Sequence, residues 1–341
     1  MKIELINTGT ELMAGRVLNG HQQWICSRLT GLGFPVDRQV AVPDNGPAIQ
    51  DAVRDALGRA DAVIVTGGLG PTSDDVTRDC ISSLLGKPLR QDADVLAGLE
   101  GFYAARKRVM SPSARVQAMV PEGSVVLPNL VGTAPGLAIE VSPNPWRTDR
   151  QSTLVVLLPG PPRELYPMFE QQVIPLLRQK SPSGPLYESR TIKTTGLPES
   201  AVEEKIAGPL ADLVGSGLEL GYCARIGEVE VHLAVRGKEK SGILAQAERI
   251  VRASLEPHIF GVDDERLEAV VVSLLTRKHK TLALAESCTG GYLAHRITNV
   301  PGASDVLVAG LVTYSNAAKQ FWLDVPAEII ATHGAVSEAT A

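Results

Sequence analysis

The stretch DAVIVTGGLGPTSDDVTRD, residues 61–79, decides the reading of the fold. Its run AVIVT is short, β-branched and unbroken by polar residues, which predicts a strand buried on both faces. GGLG then turns the chain, and a helix is predicted from about Asp74 to Leu85, stopped by Gly86 ahead of Pro88. Gly67, Gly68 and Gly70 permit positive φ and let a ligand approach the main chain, while the helix start offers N–H groups and a positive dipole end to an anion. With Pro71, Thr72 and Ser73 completing the turn, the stretch reads as a phosphate cradle. It lacks GKS/T and GxGxxG, so it is neither an ATP nor an NAD loop. A plainer reading also fits: Thr72 or Ser73 caps the helix, and Asp74 and Asp75 complement its dipole.

On either side the pattern repeats. IELINT (3–8), a segment from His21 to Leu32, PVDRQVAV (35–42), Ala48 to Leu57 and the quoted strand alternate strand with helix, which argues a βαβ series and a mostly parallel sheet. SVVLP (124–128), GLAIEV (136–141) and STLVVLLP (152–159) read as further strands, the last two joined by a hairpin excursion through SPNPWRTDRQ. A helix from Arg163 to Arg178 precedes QKSPSGP (179–185), a polar, Pro/Gly/Ser-rich linker. The expected division is an α/β domain at 1–180 with helices on both faces of an open sheet, a small α+β domain at 186–258, and a partial α/β domain at 266–341. In the last, TLALAES (281–287), a Gly-Gly turn and LVAGLVTYS (307–315) supply strand, turn and strand.

The chain has 341 residues, 44% hydrophobic and 21% charged, an ordinary balance for a folded protein of two or three domains. A net charge of −5 gives no basic field for a polyanion, and 4% aromatic residues leave few platforms for stacking bases, so direct nucleic-acid binding is not expected. Cys26, Cys80, Cys223 and Cys288 are scattered, with no CxxC pair and no His at ligand spacing; they indicate neither a zinc site nor disulfides and read as reduced thiols. The N-terminus lacks the apolar run of a signal peptide and no apolar stretch is of membrane-spanning length, so the expected compartment is the cytoplasm and no membrane is expected as a partner.

Two adjacent carboxylates beside a phosphate cradle repel the ligand unless a cation intervenes. Asp74 and Asp75 are therefore candidate ligands of a divalent metal, Mg²⁺ before Co²⁺, Ni²⁺ or Mn²⁺, and Asp75 is a candidate catalytic residue. Asp44, in VPDNGP, sits where it orients a water or simply makes a turn. NTGTELMAG (7–15), with Gly9, Thr10 and Glu11, and LPGPPREL (158–165), with Gly160 and Arg163, also follow strands and precede helices. Loops at the carboxyl ends of strands in an open sheet converge on one crevice. Glu11 fits a ligand-hydroxyl acceptor and a cap partner equally; Arg163 fits a phosphate partner or a merely solvated cation.

Together TGTELMAG, TGGLGPTSDDVTRD and LPGPPREL resemble the CinA family, whose first domain is similar to the molybdopterin-binding MogA and MoaB proteins. The resemblance implies divalent-metal-dependent hydrolysis of ADP-ribose to AMP and ribose 5-phosphate, with Asp75 on the cradle aspartate, and a homodimer. The same fold also permits pterin or nucleotide binding without turnover, and the family's association with competence admits an interaction protein. The middle region resembles the family's KH-like domain but shows no GxxG loop with basic flanks, so a structural role is expected there. AESCTGG (285–291) and TYSNAAK (313–319) resemble the start of the PncC-like nicotinamide-nucleotide amidase domain. That implies Ser287 as nucleophile with Tyr314 and Lys319 assisting, and helix N–H groups after the Gly-Gly turn serving an oxyanion. Cys288 is expected to be a packed structural thiol. Relatives in the family continue past VSEAT with a further Gly-rich strand-loop, so the resemblance covers about the first half of the amidase domain and implies weak or absent deamidation of nicotinamide mononucleotide by this chain.

Overall fold

The computed structural model describes residues 1–181, 187–237 and 240–341. The chain divides into two compact units, 1–189 with 236–238, and 190–235 with 239–341. Among the described residues no helix is long and apolar enough to cross a membrane.

In the first unit β1 (Ile3–Thr8) leads through α1 (Thr10–Met13) and α2 (Gly20–Gly31) to β2 (Val36–Val42). Next come α3 (Gly46–Leu57), β3 (Ala62–Thr66), α4 (Thr77–Leu84), β4 (Leu89–Gln91) and α5 (Ala93–Ala105). A 3₁₀ segment, Pro112–Ala118, precedes β5 (Met119–Pro121), β6 (Val125–Leu127), β7 (Gly136–Val141) and β8 (Thr153–Leu158), and α6 (Pro162–Met168) and α7 (Ile174–Lys180) follow. The main sheet has the order β2-β1-β3-β8-β7-β6, parallel from β2 to β8 and antiparallel for the β6–β7–β8 meander. This is the open, mostly parallel α/β sheet read from the sequence.

Alternation along the central strands explains the continuous apolar runs. Ile64 and Val156 pack with Ile25, Leu29, Phe169 and Leu177 on one face, while Val63, Val65 and Val155 pack with Ile49, Val53, Leu57 and Ile81 on the other. Each fully buried Val, Ile or Phe contributes about 1.5–3 kcal/mol by leaving water. Register then sets the site: Asn7 lies beside Thr66, Thr66 beside Leu158 and Thr8 beside Val42, so β1, β2, β3 and β8 end at one edge.

Three local expectations are corrected. The helix after the glycine loop begins at Thr77 rather than Asp74, because the Asp75 carboxylate accepts from Thr72 N at 3.0 Å and from the Thr72 hydroxyl, closing TSDD into a turn. The helix expected over 163–178 is interrupted by a π turn, Phe169–Val173, just before Pro175, whose nitrogen has no hydrogen to donate to the preceding turn. The strand expected over 307–315 ends at Val312. Of the linker 179–185, residues 182–185 lie outside the described residues.

The second unit starts with a sheet of order β10-β11-β9-β12, built from β9 (Tyr187–Thr195), β10 (Leu218–Arg225), β11 (Glu228–Arg236) and β12 (Ile259–Val262). Val229, Val231, Leu233 and Val235 point from β11 into a core closed by α8 (Glu199–Gly215) and α9 (Ser241–Leu255). After α10 (Leu267–Arg277), β13 (Leu282–Glu286) and β14 (Leu307–Val312) pair in parallel around α11 (Tyr292–Thr298), and α12 (Asn316–Leu323) and α13 (Ala327–His333) follow. The core here is small, centred on Val272, Ile297, Ala303 and Val306.

Candidate functional site

The loops after β1, β2, β3 and β8 meet around a crevice of about 430 Å³. Gly9 and Glu11, Asp44, the Gly67–Pro71 loop with Asp74 and Asp75, and Gly160 all line it, so residues scattered over 150 positions share one space. Gly67 and Gly68 have φ of +100° and +66°. A Cβ on Gly67 would meet Thr8 O at 2.7 Å, and one on Gly68 would meet Thr77 Cβ at 2.9 Å. Gly70 needs no positive φ; its missing side chain makes room for the Asp75 carboxylate.

Neither Thr72 nor Ser73 caps α4, whose N-cap is Val76 without a side-chain bond, and Thr77 N is already donated to Gly68 O at 3.2 Å. The first amide of α4 is thus spent inside the protein, and the crevice is lined by the glycine loop itself. Thr72 and Ser73 are exposed beside the crevice rather than lining it. The Thr72 side chain, followed by a backbone amide, holds the Asp74 carboxyl below the usual range, so Asp74 is a fixed negative charge.

Thr10 and Asp44 clasp two loops: Thr10 N donates to Asp44 Oδ2 at 2.7 Å and Asp44 N donates to Thr10 Oγ1 at 3.2 Å. Thr10 is therefore a positioning residue behind the lining. Arg163 does not line the crevice; its side chain is 79% exposed, 3.8 Å from Glu164, so of its two sequence readings the geometry fits the solvated cation rather than the phosphate partner. The lining instead carries Glu11, Asp44, Asp74, Asp75 and Glu164 and, among the described residues, no Lys or Arg.

Among the lining residues that the sequence reading did not single out are Glu164, Gln117 and His21. Gln117 is 1% exposed, yet its Oε1 has no hydrogen-bond partner among the described residues. An unmet buried acceptor is costly, and such groups mark a place where a ligand or water completes the bonding. His21 Nδ1 is likewise buried and unpartnered, the ring standing edge-on to Tyr166 at 6.2 Å, and burial pushes its pKa down, so it presents a neutral imidazole. No local pattern marks Gln117 or His21, because each reaches the crevice only through packing. Gln117→Leu preserves volume and removes the carboxamide: thermal stability should hold or rise slightly, while the apparent affinity for the crevice ligand falls about tenfold, one lost hydrogen bond. Unchanged affinity would remove Gln117 from recognition.

In the second unit Lys319 is buried, and its Nζ donates to Ser287 Oγ at 3.0 Å, Thr313 O at 2.7 Å and Tyr314 O at 3.3 Å. Ser287 and Lys319 thus meet as a nucleophile–base pair can, whereas the Tyr314 side chain is 74% exposed. Two expectations fail here. The α11 amides of Leu293 and Ala294 are donated to the buried Glu286 carboxylate at 2.9 and 2.8 Å and do not serve an oxyanion. Burial alone would raise the Glu286 pKa, but these amides outweigh it and hold the carboxyl below its usual range. Cys288 is exposed, not packed.

The first unit is an open α/β sheet whose strand-end loops enclose a glycine-lined crevice, and the family comparisons give its class. Residues 4–179 match the model described as "Probable molybdopterin binding domain", residues 189–261 the "Damage-inducible protein CinA KH domain" and residues 264–341 the "CinA C-terminal domain". The CinA-like protein of Akkermansia muciniphila is 42% identical over 338 residues, covering 99% of this chain and 78% of its own. That of Gemmatimonas aurantiaca is 39% identical over 346 residues, covering 100% and 78%. A crystal structure of CinA, of unknown function, from Thermoplasma acidophilum is 32% identical over 51% of this chain and 97% of its own, with a TM-score of 0.45. The chain belongs to the CinA family.

Proposed function

We propose that the crevice of the first unit is a divalent-metal-dependent pyrophosphatase site acting on ADP-ribose, the substrate class that the CinA resemblance implies. One observation carries the reading: five carboxylates and a glycine-rich loop line a space with no Lys or Arg among the described residues. A diphosphate enters such a space only with a cation, and hard carboxylate oxygens suit Mg²⁺, which takes one or two protein carboxylates together with phosphate oxygens. Asp74 and Asp75 would hold it, and among the described residues neither belongs to a three-ligand cluster that would bind an ion without substrate. When bound, the ion supplies charge neutralisation at the phosphates.

The protein's own groups do the rest. The Gly67–Gly70 main chain approaches the diphosphate closely, which only glycine at 67 and 68 allows. Asp44 has Oδ2 committed to Thr10 N, leaving Oδ1 to accept a proton from water and turn its oxygen toward phosphorus. Water oxygen then bonds to one phosphorus as the bridging P–O bond breaks, giving AMP and ribose 5-phosphate. AMP release with Mg²⁺ that stops on chelation supports this reading. Saturable binding without product under Mg²⁺, Mn²⁺, Co²⁺ or Ni²⁺ makes the crevice a nucleotide- or pterin-binding module instead.

We infer further that the Ser287–Lys319 pair marks an amide-hydrolysing centre whose turnover of nicotinamide mononucleotide by this chain is weak. The pair is placed for proton removal, but the adjacent helix amides of Leu293 and Ala294 are occupied by Glu286. Ammonia release from nicotinamide mononucleotide is expected to stay near the level of Ser287→Ala. Robust release, lost in that variant, would overturn the inference.

A further inference from the structure

Cys223, Glu230 and His232 are far from any metal-binding spacing in the sequence, yet the β10–β11 pairing places Cys223 directly across from Glu230, with His232 two residues along β11 on the same side. Their ligand atoms all lie within 4.8 Å of one another, a proximity that the spacing of cysteine and histidine along the chain does not show. We propose that these three side chains form a binding site for a borderline transition-metal ion, Zn²⁺ foremost, on the face of the sheet opposite its apolar core.

The donor set is the first argument. Thiolate, imidazole and one carboxylate oxygen suit Zn²⁺ or Co²⁺ and suit Mg²⁺ or Ca²⁺ poorly, and three protein ligands leave a fourth tetrahedral position for water or an external ligand. The second argument is orientation. His232 Nδ1 lies 3.0 Å from Thr191 Oγ1, which turns Nε2 toward Glu230 Oε2, 3.4 Å away. A ligating histidine is ordinarily fixed through its other nitrogen in this way. Glu230 divides its oxygens similarly: Oε1 faces Arg225 Nε at 3.2 Å and Lys193 Nζ at 3.9 Å, leaving Oε2 on the Cys223–His232 side. Gly221 is the cross-strand partner of His232, so no opposing side chain crowds the ring. Arg225 and Lys193 oppose a cation electrostatically, and the site is therefore expected to be weaker than a four-ligand structural zinc centre.

The test is titration of the full chain with Co²⁺ alone, under reducing conditions, followed by absorption. One Co²⁺ per chain should produce a thiolate-to-cobalt charge-transfer band in the near ultraviolet with tetrahedral d–d bands in the visible, and added Zn²⁺ should bleach both. Cys223→Ser should abolish the charge-transfer band. His232→Gln should keep the band and weaken Co²⁺ binding by more than about tenfold, the loss seen when only an outer-shell partner of a ligand is removed. Circular dichroism establishes that each variant is folded, and the two variants lie on different strands, so misfolding of one leaves the other decisive. No charge-transfer band in the parent chain, a band retained by folded Cys223→Ser, or Co²⁺ binding unweakened in folded His232→Gln, overturns the proposal.

Discussion

Asp75→Asn is expected to lower metal-dependent AMP release from ADP-ribose by about a hundredfold or more, the range seen when one electrostatic stabiliser leaves a preorganised site. The substitution is chosen because Asp75 has two jobs in the structure. Its Oδ2 accepts from Thr72 N at 3.0 Å and from the Thr72 hydroxyl, so it holds the TSDD turn, and its charge lines the crevice beside Asp74. Asparagine retains an acceptor oxygen for Thr72 and removes the charge together with the second, metal-ligating oxygen. A folded, thermally normal Asp75→Asn protein with little activity, and with a raised requirement for divalent ion, would assign the charge to the chemistry. Asp75→Ala, which loses both, should also destabilise the loop. Parental activity in Asp75→Asn would show that the carboxylate serves the turn alone, and the metal would have to be sought elsewhere in the crevice.

The largest effect on stability in the site region is expected at Gly68. Its φ of +66° disfavours any side chain, and a Cβ there would stand 2.9 Å from Thr77 Cβ, inside the first turn of α4. Strain and overpacking each cost about 1–3 kcal/mol, so Gly68→Val should lose roughly 3 kcal/mol in all. At about 2–4 °C per kcal/mol for a unit of this size, the melting transition of the first unit should fall by roughly 6–12 °C, with ligand binding lost. Gly101→Ala is the control: Gly101 lies in α5 with open space where its Cβ would be, and alanine there should be neutral or stabilising by about 0.5–1 kcal/mol. A Gly68→Val protein as stable as the parent would mean that α4 can slide away from the loop, and that the glycine is not what fixes the crevice.

The residues show why some of this was legible and some was not. The run AVIVT and its glycines announce a buried strand and a ligand-approach turn within a dozen positions, because strand burial and positive φ are written in local composition. The meeting of loops from β1, β3 and β8 followed from the general rule for open parallel sheets, and in-register pairing of those strands meets its condition. Ser287 and Lys319, by contrast, were named through resemblance; their 3.0 Å contact depends on β13 and β14 pairing across 25 residues or more.

The sequence by itself determined the parallel α/β sheet, the glycine-lined loops and the carboxylates beside them, since each is set by neighbours along the chain. Only the tertiary structure decided which of those groups face the ligand. It turned Arg163 to solvent, divided the Asp75 carboxylate between Thr72 and the crevice, spent the α11 amides on Glu286, buried Gln117 Oε1 without a partner among the described residues, and set Cys223 beside Glu230 and His232. These outcomes share one physical cause: hydrogen bonding and packing between segments distant in sequence fix side-chain direction, and no window along the chain contains both partners.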